Sequence, residues 1–143
     1  MSVTTNTVLN VLDQQVHVLV DRDQTAGAYE VFEVTGPEAS GPPPHAHPWS
    51  ETFIVLEGEV TVLIGEEPHV IRAGERAVVP YNTVHTFQLG SDATRLLTIA
   101  DGIGAGNFFH ELHANVPAGP VTDETLPQII ELARRNHLTS PLF

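Results

Sequence analysis

Hydrophobic and polar residues alternate in short runs along most of this chain. Residues 8–20 (VLNVLDQQVHVLV) and 27–35 (GAYEVFEVT) are rich in β-branched residues and partly alternate, which is typical of two half-buried strands. Residues 52–64 (TFIVLEGEVTVLI) predict a strand, a Glu-Gly-Glu turn and another strand. Residues 65–80 (GEEPHVIRAGERAVVP) add a hairpin and a short strand, so turns recur at short intervals.

Two further runs, 84–89 (VHTFQL) and 94–100 (TRLLTIA), complete a series of about eight to ten short strands. Such a series favours an all-β sandwich or barrel over any α/β arrangement. We expect the barrel to occupy about residues 8–100 of a single domain that spans residues 1–143.

The end of the chain changes to a helical period. Apolar residues recur there at i, i+3, i+4 and i+7: Leu126, Ile129, Ile130 and Ala133. This stripe predicts a helix with Pro127 in its first turn, and the preceding run GNFFHELHANV predicts another short helix. About residues 106–143 therefore form a C-terminal helical tail.

Composition excludes several kinds of chemistry. The 6 basic residues are all arginine, cysteine is absent, and 18 acidic residues give a formal charge of −12. Schiff-base lysines, thiol nucleophiles and thiolate-bound metals are therefore excluded, and nucleic acid is disfavoured as a partner. The sequence carries neither a signal-peptide pattern nor an apolar run of membrane-spanning length. We expect a cytoplasmic protein without a membrane partner.

The stretch PPPHAHPWSE, residues 42–51, carries the candidate chemistry. His45 and His47 are spaced i, i+2, so in a strand both imidazoles lie on one face and can reach one ion. Glu51 keeps the same parity, and the strand VHTFQL offers His85 as a fourth ligand. In a chain with eight histidines an H-x-H pair can also arise by chance, and the second segment decides between the two interpretations.

Together the two segments resemble the metal-binding motifs of the cupin superfamily, G-x5-H-x-H-x3,4-E-x6-G and G-x5-P-x-G-x2-H-x3-N. The matching positions are His45, His47, Glu51 and Gly58 for the first motif and Gly74, Pro80 and His85 for the second. Three positions depart from the family pattern, and none of them is a metal ligand. Ala39 replaces the leading glycine, Asn82 the turn glycine and Leu89 the final asparagine. Asn82 can keep the turn because asparagine tolerates a positive φ.

The resemblance implies a jelly-roll barrel, the double-stranded β-helix, with one divalent transition-metal ion per chain. Fe, Mn, Ni, Co, Cu and Zn all accept these ligands, so the identity of the metal stays open. The resemblance also implies a homodimer. The apolar outer row of Ile54 and Leu56 and an N-terminal strand that could cross to a partner sheet favour the same assembly.

Aromatic and aliphatic residues on the inward faces are candidates for a substrate pocket. They are Phe53, Val55, Phe87 and Leu89, with Trp49 near the entrance. Such a lining would suit a substrate with an apolar or aromatic body, although each of these residues can also serve packing alone.

Three hypotheses for function follow. Three neutral imidazoles and one carboxylate around a divalent ion leave a charge of about +1 and, in octahedral geometry, about two open positions. The first hypothesis is a metal-dependent dioxygenase or related oxidoreductase that acts on a small phenolic, enolic or carboxylate substrate. The two open positions could hold a chelating substrate, or the substrate and O2. Glu51 would be both ligand and catalytic base. The tail, with NFFHEL followed by the helix and LTSPLF, also resembles the tails of quercetinase-like dioxygenases.

The second hypothesis is a non-redox cyclase, isomerase or decarboxylase that uses the ion as a Lewis acid. The third is a cupin that binds a small ligand without turnover. The remaining histidines are expected to be structural: His17, His69 and His137 in the strands and at a helix end, and His110 and His113 on a solvated helix face.

Overall fold

A computed structural model describes residues 7–142, which contain nine strands and two helices. The strands are β1 (Thr7–Val11), β2 (Gln14–Val20), β3 (Tyr29–Thr35), β4 (Glu51–Glu57), β5 (Glu59–Ile64), β6 (Glu67–Arg72), β7 (Arg76–Val79), β8 (His85–Leu89) and β9 (Arg95–Asp101). The helices are α1 (Ala105–Asn115) and α2 (Leu126–Arg135). The barrel strands thus precede a helical tail, as the change of period predicts.

Two antiparallel sheets form the barrel. The larger has the strand order β1-β2-β3-β9-β4-β7, and the smaller has the order β6-β5-β8. Residues on the inner faces interdigitate as one core, with Phe32 and Phe53 from the larger sheet and Val62 and Leu89 from the smaller. The predicted all-β jelly roll is therefore confirmed.

The sequence prediction for residues 8–20 is wrong in one respect. This stretch is a hairpin of two strands, in which Val11 pairs with Gln14, rather than one continuous strand. Leu12 makes the turn possible by adopting a φ of 57°. Leucine rarely takes this left-handed conformation, so the sequence contains no recognisable turn residue at that position.

The turn after β4 is a corner between sheets. β4 belongs to the larger sheet and β5 to the smaller, and Gly58 between them has a φ of +79°. A Cβ at this position would lie 2.5 Å from Oγ1 of Thr94. Only glycine satisfies both the backbone angle and the close approach.

The two helices pack over one end of the barrel. α1 contacts β1 and α2, and the backbone N–H of Asn10 donates to Nδ1 of His113 at 2.9 Å. The predicted helical stripe is confirmed at Ile129 and Ala133, which are both buried. Within residues 7–142, neither helix has the length and apolar character that crossing a bilayer requires.

Candidate metal centre

Three imidazoles converge at the end of the barrel that the helices cover. His85 begins β8, and its backbone exchanges hydrogen bonds with that of His45 at 2.9 and 3.0 Å. His47 follows two residues later in the same proline-rich segment. One ring nitrogen from each of the three histidines lies within 4.8 Å of the other two, so the cluster could hold a metal ion.

Each imidazole is oriented by a backbone carbonyl. Nδ1 of His45, His47 and His85 each lies 2.8 Å from a carbonyl oxygen. Those oxygens belong, in the same order, to Pro43, Trp49 and Thr83. A carbonyl can only accept a hydrogen bond, so Nδ1 carries the proton and the Nε2 lone pair is available to a metal. Metal-ligating histidines in proteins show this arrangement.

Two of the free nitrogens lack any partner. Nε2 of His47 and Nε2 of His85 are buried and accept no hydrogen bond from residues 7–142. Burial of an unsatisfied polar atom is unfavourable unless something else occupies the space beside it. A divalent cation bound by these nitrogens would satisfy both atoms, and the donor set of imidazole and carboxylate fits such an ion.

Glu51 completes the cluster from the larger sheet. As the first residue of β4, it places Oε1 3.5 Å from Nε2 of His47 and Oε2 3.4 Å from Nε2 of His85. These separations exceed normal hydrogen bonds, so the carboxylate faces the lone pairs without occupying them. Burial acts to raise the pKa of Glu51, but His47 and His85 in their protonated forms outweigh it and lower the pKa below its usual range.

His45 is also held in the form that binds metal. Burial, reinforced by the neighbouring His85, lowers the pKa of His45 to about 4. The ring is therefore neutral near pH 7, and a neutral imidazole is the form that ligates metals.

Trp49 supports the cluster from behind. Its ring stacks on that of His47, with centroids 4.3 Å apart and planes 9° apart, and its Nε1–H donates to Oε1 of Glu51 at 3.3 Å. Trp49 is only 2% exposed. The sequence expectation that it lies near an entrance is therefore wrong, because stacking and the hydrogen bond draw the indole into the core.

Backbone conformation and close packing show why glycine is favoured at or near two positions of the motifs. Gly41 lies against β8 so closely that a Cβ would be 1.8 Å from the carbonyl oxygen of Phe87. Ala39 and Asn82, which replace motif glycines, have φ values of 67° and 56°. The backbone N–H of Asn82 donates to the carbonyl of His47 at 2.8 Å, so the turn is kept and joins the two motif segments.

A cavity of about 100 Å³ opens beside the cluster. One water needs about 10–15 Å³ of such space, so the cavity has room for several waters or one small organic molecule. Its walls include His45, His47 and Glu51, and three of the predicted pocket residues: Trp49, Phe53 and Phe87. Further lining comes from the helices, through Phe108, Phe109, Leu112, Ile129 and Ala133.

Val55 and Leu89 do not line this cavity. Each is 1% exposed and packs in the core. Val55 lies four residues beyond Glu51 on β4, about 13 Å along the strand, so it belongs to the far part of the barrel. Their inward orientation was predicted correctly, but alternation along a strand does not show how far a residue lies from the metal cluster. The contribution of the helices was missed, and the apolar run in NFFHEL was its only sequence sign.

The other histidines lie away from the cavity lining. His69 and His110 are exposed, and His17 is half-buried. His137 follows α2 with a φ of 65°, and His113 accepts the hydrogen bond from Asn10. These positions agree with structural rather than ligand roles.

The fold and the site define a class of protein: a jelly-roll barrel with a histidine cluster inside one end. Residues 31–100 match the family model of the cupin domain. These residues form a cupin domain, and the resemblance of the two motifs within them to this superfamily is confirmed.

Known proteins similar to this chain include enzymes of different reaction types. Over 88 residues the chain is 30% identical to quercetin 2,3-dioxygenase of Bacillus subtilis (strain 168). The aligned region covers 61% of this chain and 26% of that enzyme. The chain thus spans about a quarter of the length of this relative. An RmlC-like cupin from Shewanella frigidimarina superposes with a TM-score of 0.60 at 17% identity, covering 73% of this chain and 89% of the other. The polyketide cyclase RemF from Streptomyces resistomycificus gives 0.59 at 20% identity, covering 71% and 79%.

Proposed function

We propose that His45, His47, His85 and Glu51 bind one divalent transition-metal ion. The observation that carries this proposal is the pair of buried Nε2 atoms without partners, on rings that backbone carbonyls hold in the ligating tautomer. Glu51 adds a carboxylate 3.4 to 3.5 Å from these two nitrogens. Its negative charge would offset part of the charge of the ion.

We further propose that the protein is a dioxygenase or related oxidoreductase for a small phenolic, enolic or carboxylate substrate. When bound, the ion would supply a Lewis acid or redox centre. Phe53 and Phe87 provide an apolar wall for the substrate body and keep water from competing for the site. Glu51 is the group beside the site that can accept a proton from the substrate hydroxyl. The 30% identity to quercetin 2,3-dioxygenase favours a reaction that consumes O2.

A non-redox reaction is the second candidate. The observation that favours it is the carboxylate of Glu51 beside Nε2 of His47 and Nε2 of His85, which can accept a proton without any change in oxidation state. Cyclisation, isomerisation and decarboxylation all need such proton transfers. The structural similarity to a polyketide cyclase is a likeness of fold, and it agrees with this candidate as well as with the first.

Oxygen consumption distinguishes the candidates. Protein loaded in turn with Fe, Mn, Ni, Co or Cu would be mixed with flavonols, catechols and β-diketones in an oxygen electrode. We expect uptake with at least one pair, and we expect Glu51→Gln to lose turnover far more than substrate binding. Glu66→Gln, an exposed carboxylate in a hairpin turn, is the matched control. Transformation of a compound without oxygen uptake would support the second candidate, and binding without any transformation would support a non-catalytic cupin.

A further inference from the structure

Thr98 has a buried hydroxyl without a partner. The residue is 3% exposed, and its Oγ1 forms no hydrogen bond with any described residue. Only four buried side-chain atoms within residues 7–142 share this condition, and two of them are the Nε2 atoms of His47 and His85. A valine of the same shape would fill this space without an unsatisfied group. Packing alone therefore does not explain a threonine here.

Thr98 occupies the wall of the same cavity as the histidine cluster. In the larger sheet it pairs with Phe32 on one side and Phe53 on the other, so its immediate cross-strand neighbours are apolar. Glu51 pairs with Ala100, two positions further along β9. Thr98 and Glu51 are thus diagonal neighbours on the inner face, a relation that separates Cα atoms by about 7–8 Å.

Outside the histidine cluster, two other polar side chains in the cavity wall form hydrogen bonds within the chain. The Gln14 side-chain amide donates to the hydroxyl of Ser40 at 3.3 Å, and the Ser140 hydroxyl donates to the carbonyl of Pro44 at 2.7 Å. Thr98 differs because both the donor and the acceptor capacity of its buried hydroxyl are unused.

We infer that the Thr98 hydroxyl is a specificity contact for the distal oxygen of a one-ring substrate. The inference rests on the proposed function, in which the near end of the substrate lies at the histidine cluster. The cavity of about 100 Å³ and the diagonal spacing to Glu51 select a small molecule with oxygens at both ends. A hydroxyl or carbonyl at the far end would satisfy Thr98, whereas a methyl group there would leave it unpaired.

The test compares two catechols that differ in this distal group. Zinc-loaded protein, in which the metal supports no redox turnover, would be titrated with 3,4-dihydroxybenzyl alcohol and with 4-methylcatechol. Fluorescence of Trp49, the only tryptophan, is a suitable signal because its ring stacks on His47. We expect wild-type protein to bind the alcohol about tenfold more tightly, Thr98→Val to lose this preference and Thr98→Ser to keep it.

Thermal unfolding supplies a measurement that does not depend on either probe. If the hydroxyl serves only a ligand, metal-free Thr98→Val unfolds at the same temperature as wild type or higher. A lower unfolding temperature for the valine variant would assign the hydroxyl a structural role and overturn the inference. Equal binding of the two catechols to wild-type protein would overturn the inference alone. Binding of neither catechol would also overturn the inference, whereas the proposed function is judged separately by oxygen uptake with the flavonols and β-diketones.

Discussion

The backbones of Ala46 and Thr139 exchange two hydrogen bonds. The N–H of each donates to the carbonyl of the other, at 2.8 and 2.9 Å, as an isolated antiparallel bridge. Ala46 lies between His45 and His47, and Thr139 follows the last helix. The segment that carries two of the proposed ligands is therefore held in place by the end of the chain, and the Ser140 hydroxyl adds a bond to Pro44.

This bridge gives a first prediction for metal affinity. Thr139→Pro removes the N–H that donates to Ala46, and we expect the metal to bind about tenfold more weakly because the ligand segment loses support. Thr139→Ala keeps the backbone donor and should bind metal like wild type. Competition with a chromogenic chelator measures both. Equal affinities for the proline variant and wild type would show that the bridge does not support the site.

Replacement of Ala39 by glycine should increase the stability of the fold. Its φ of 67° lies in the left-handed region, where glycine is unstrained and alanine is not. Ala39→Gly should therefore raise the free energy of unfolding by about 1 kcal/mol, measured by urea denaturation. Ala118, which is exposed and is not among the residues with positive φ, is the control, and Ala118→Gly should give no gain. Destabilisation by Ala39→Gly would contradict this explanation of the motif position.

The buried carboxylate of Glu30 should make the free energy of unfolding depend on pH. Its carboxylate is buried and accepts a hydrogen bond from the N–H of Gly106 at 3.2 Å. Burial raises the pKa of Glu30 above 4.5, with the bond from Gly106 acting in the opposite direction. Because the pKa is raised in the folded state, the contribution of Glu30 to the free energy of unfolding is fully present below about pH 4.5. It is lost as the pH rises through the folded-state pKa.

Glu30→Gln keeps an acceptor for Gly106 and removes the titration. We expect its free energy of unfolding, relative to wild type, to increase as the pH rises from 4.5 toward neutrality. Glu66→Gln, at an exposed turn, should show no such trend. A constant difference between Glu30→Gln and wild type across this range would mean that burial does not control the ionisation of Glu30.

The apolar outer face of the larger sheet leads us to expect a homodimer. Ile54 is half-buried, whereas Leu56 on β4 and Val78 on the edge strand β7 are 41% and 56% exposed. Leu56→Glu should dissociate the dimer in sedimentation experiments at micromolar concentration. Val70→Glu, on the smaller sheet and 47% exposed, should leave it intact. A monomeric mass for the wild-type protein would contradict the expectation.

The sequence predicts the fold well because strand alternation and the helical stripe are local patterns. The sequence also predicts that His45, His47 and His85 form one cluster, because strand alternation and the motif spacing determine where these side chains lie. It fails where the backbone takes an unusual conformation, as at Leu12, whose positive φ divides a long apolar run into two strands.

The local sequence pattern does not show how far a residue lies from the site or which distant segments hold the site in place. The spacing of Val55 gives its face but not its distance from the site, and nothing near His47 indicates that Thr139 holds the neighbouring residue. The unpaired hydroxyl of Thr98 also emerges only when β3, β4 and β9 are assembled.

Metal content of the purified protein tests the central claim most directly. Elemental analysis should find about one divalent transition-metal ion per chain in wild-type protein. His45→Ala and His85→Ala should lose most of it, because each removes a nitrogen of the cluster. His69→Ala, in which an exposed histidine is replaced, should keep it. Full metal occupancy in both folded cluster variants would contradict the proposed metal centre.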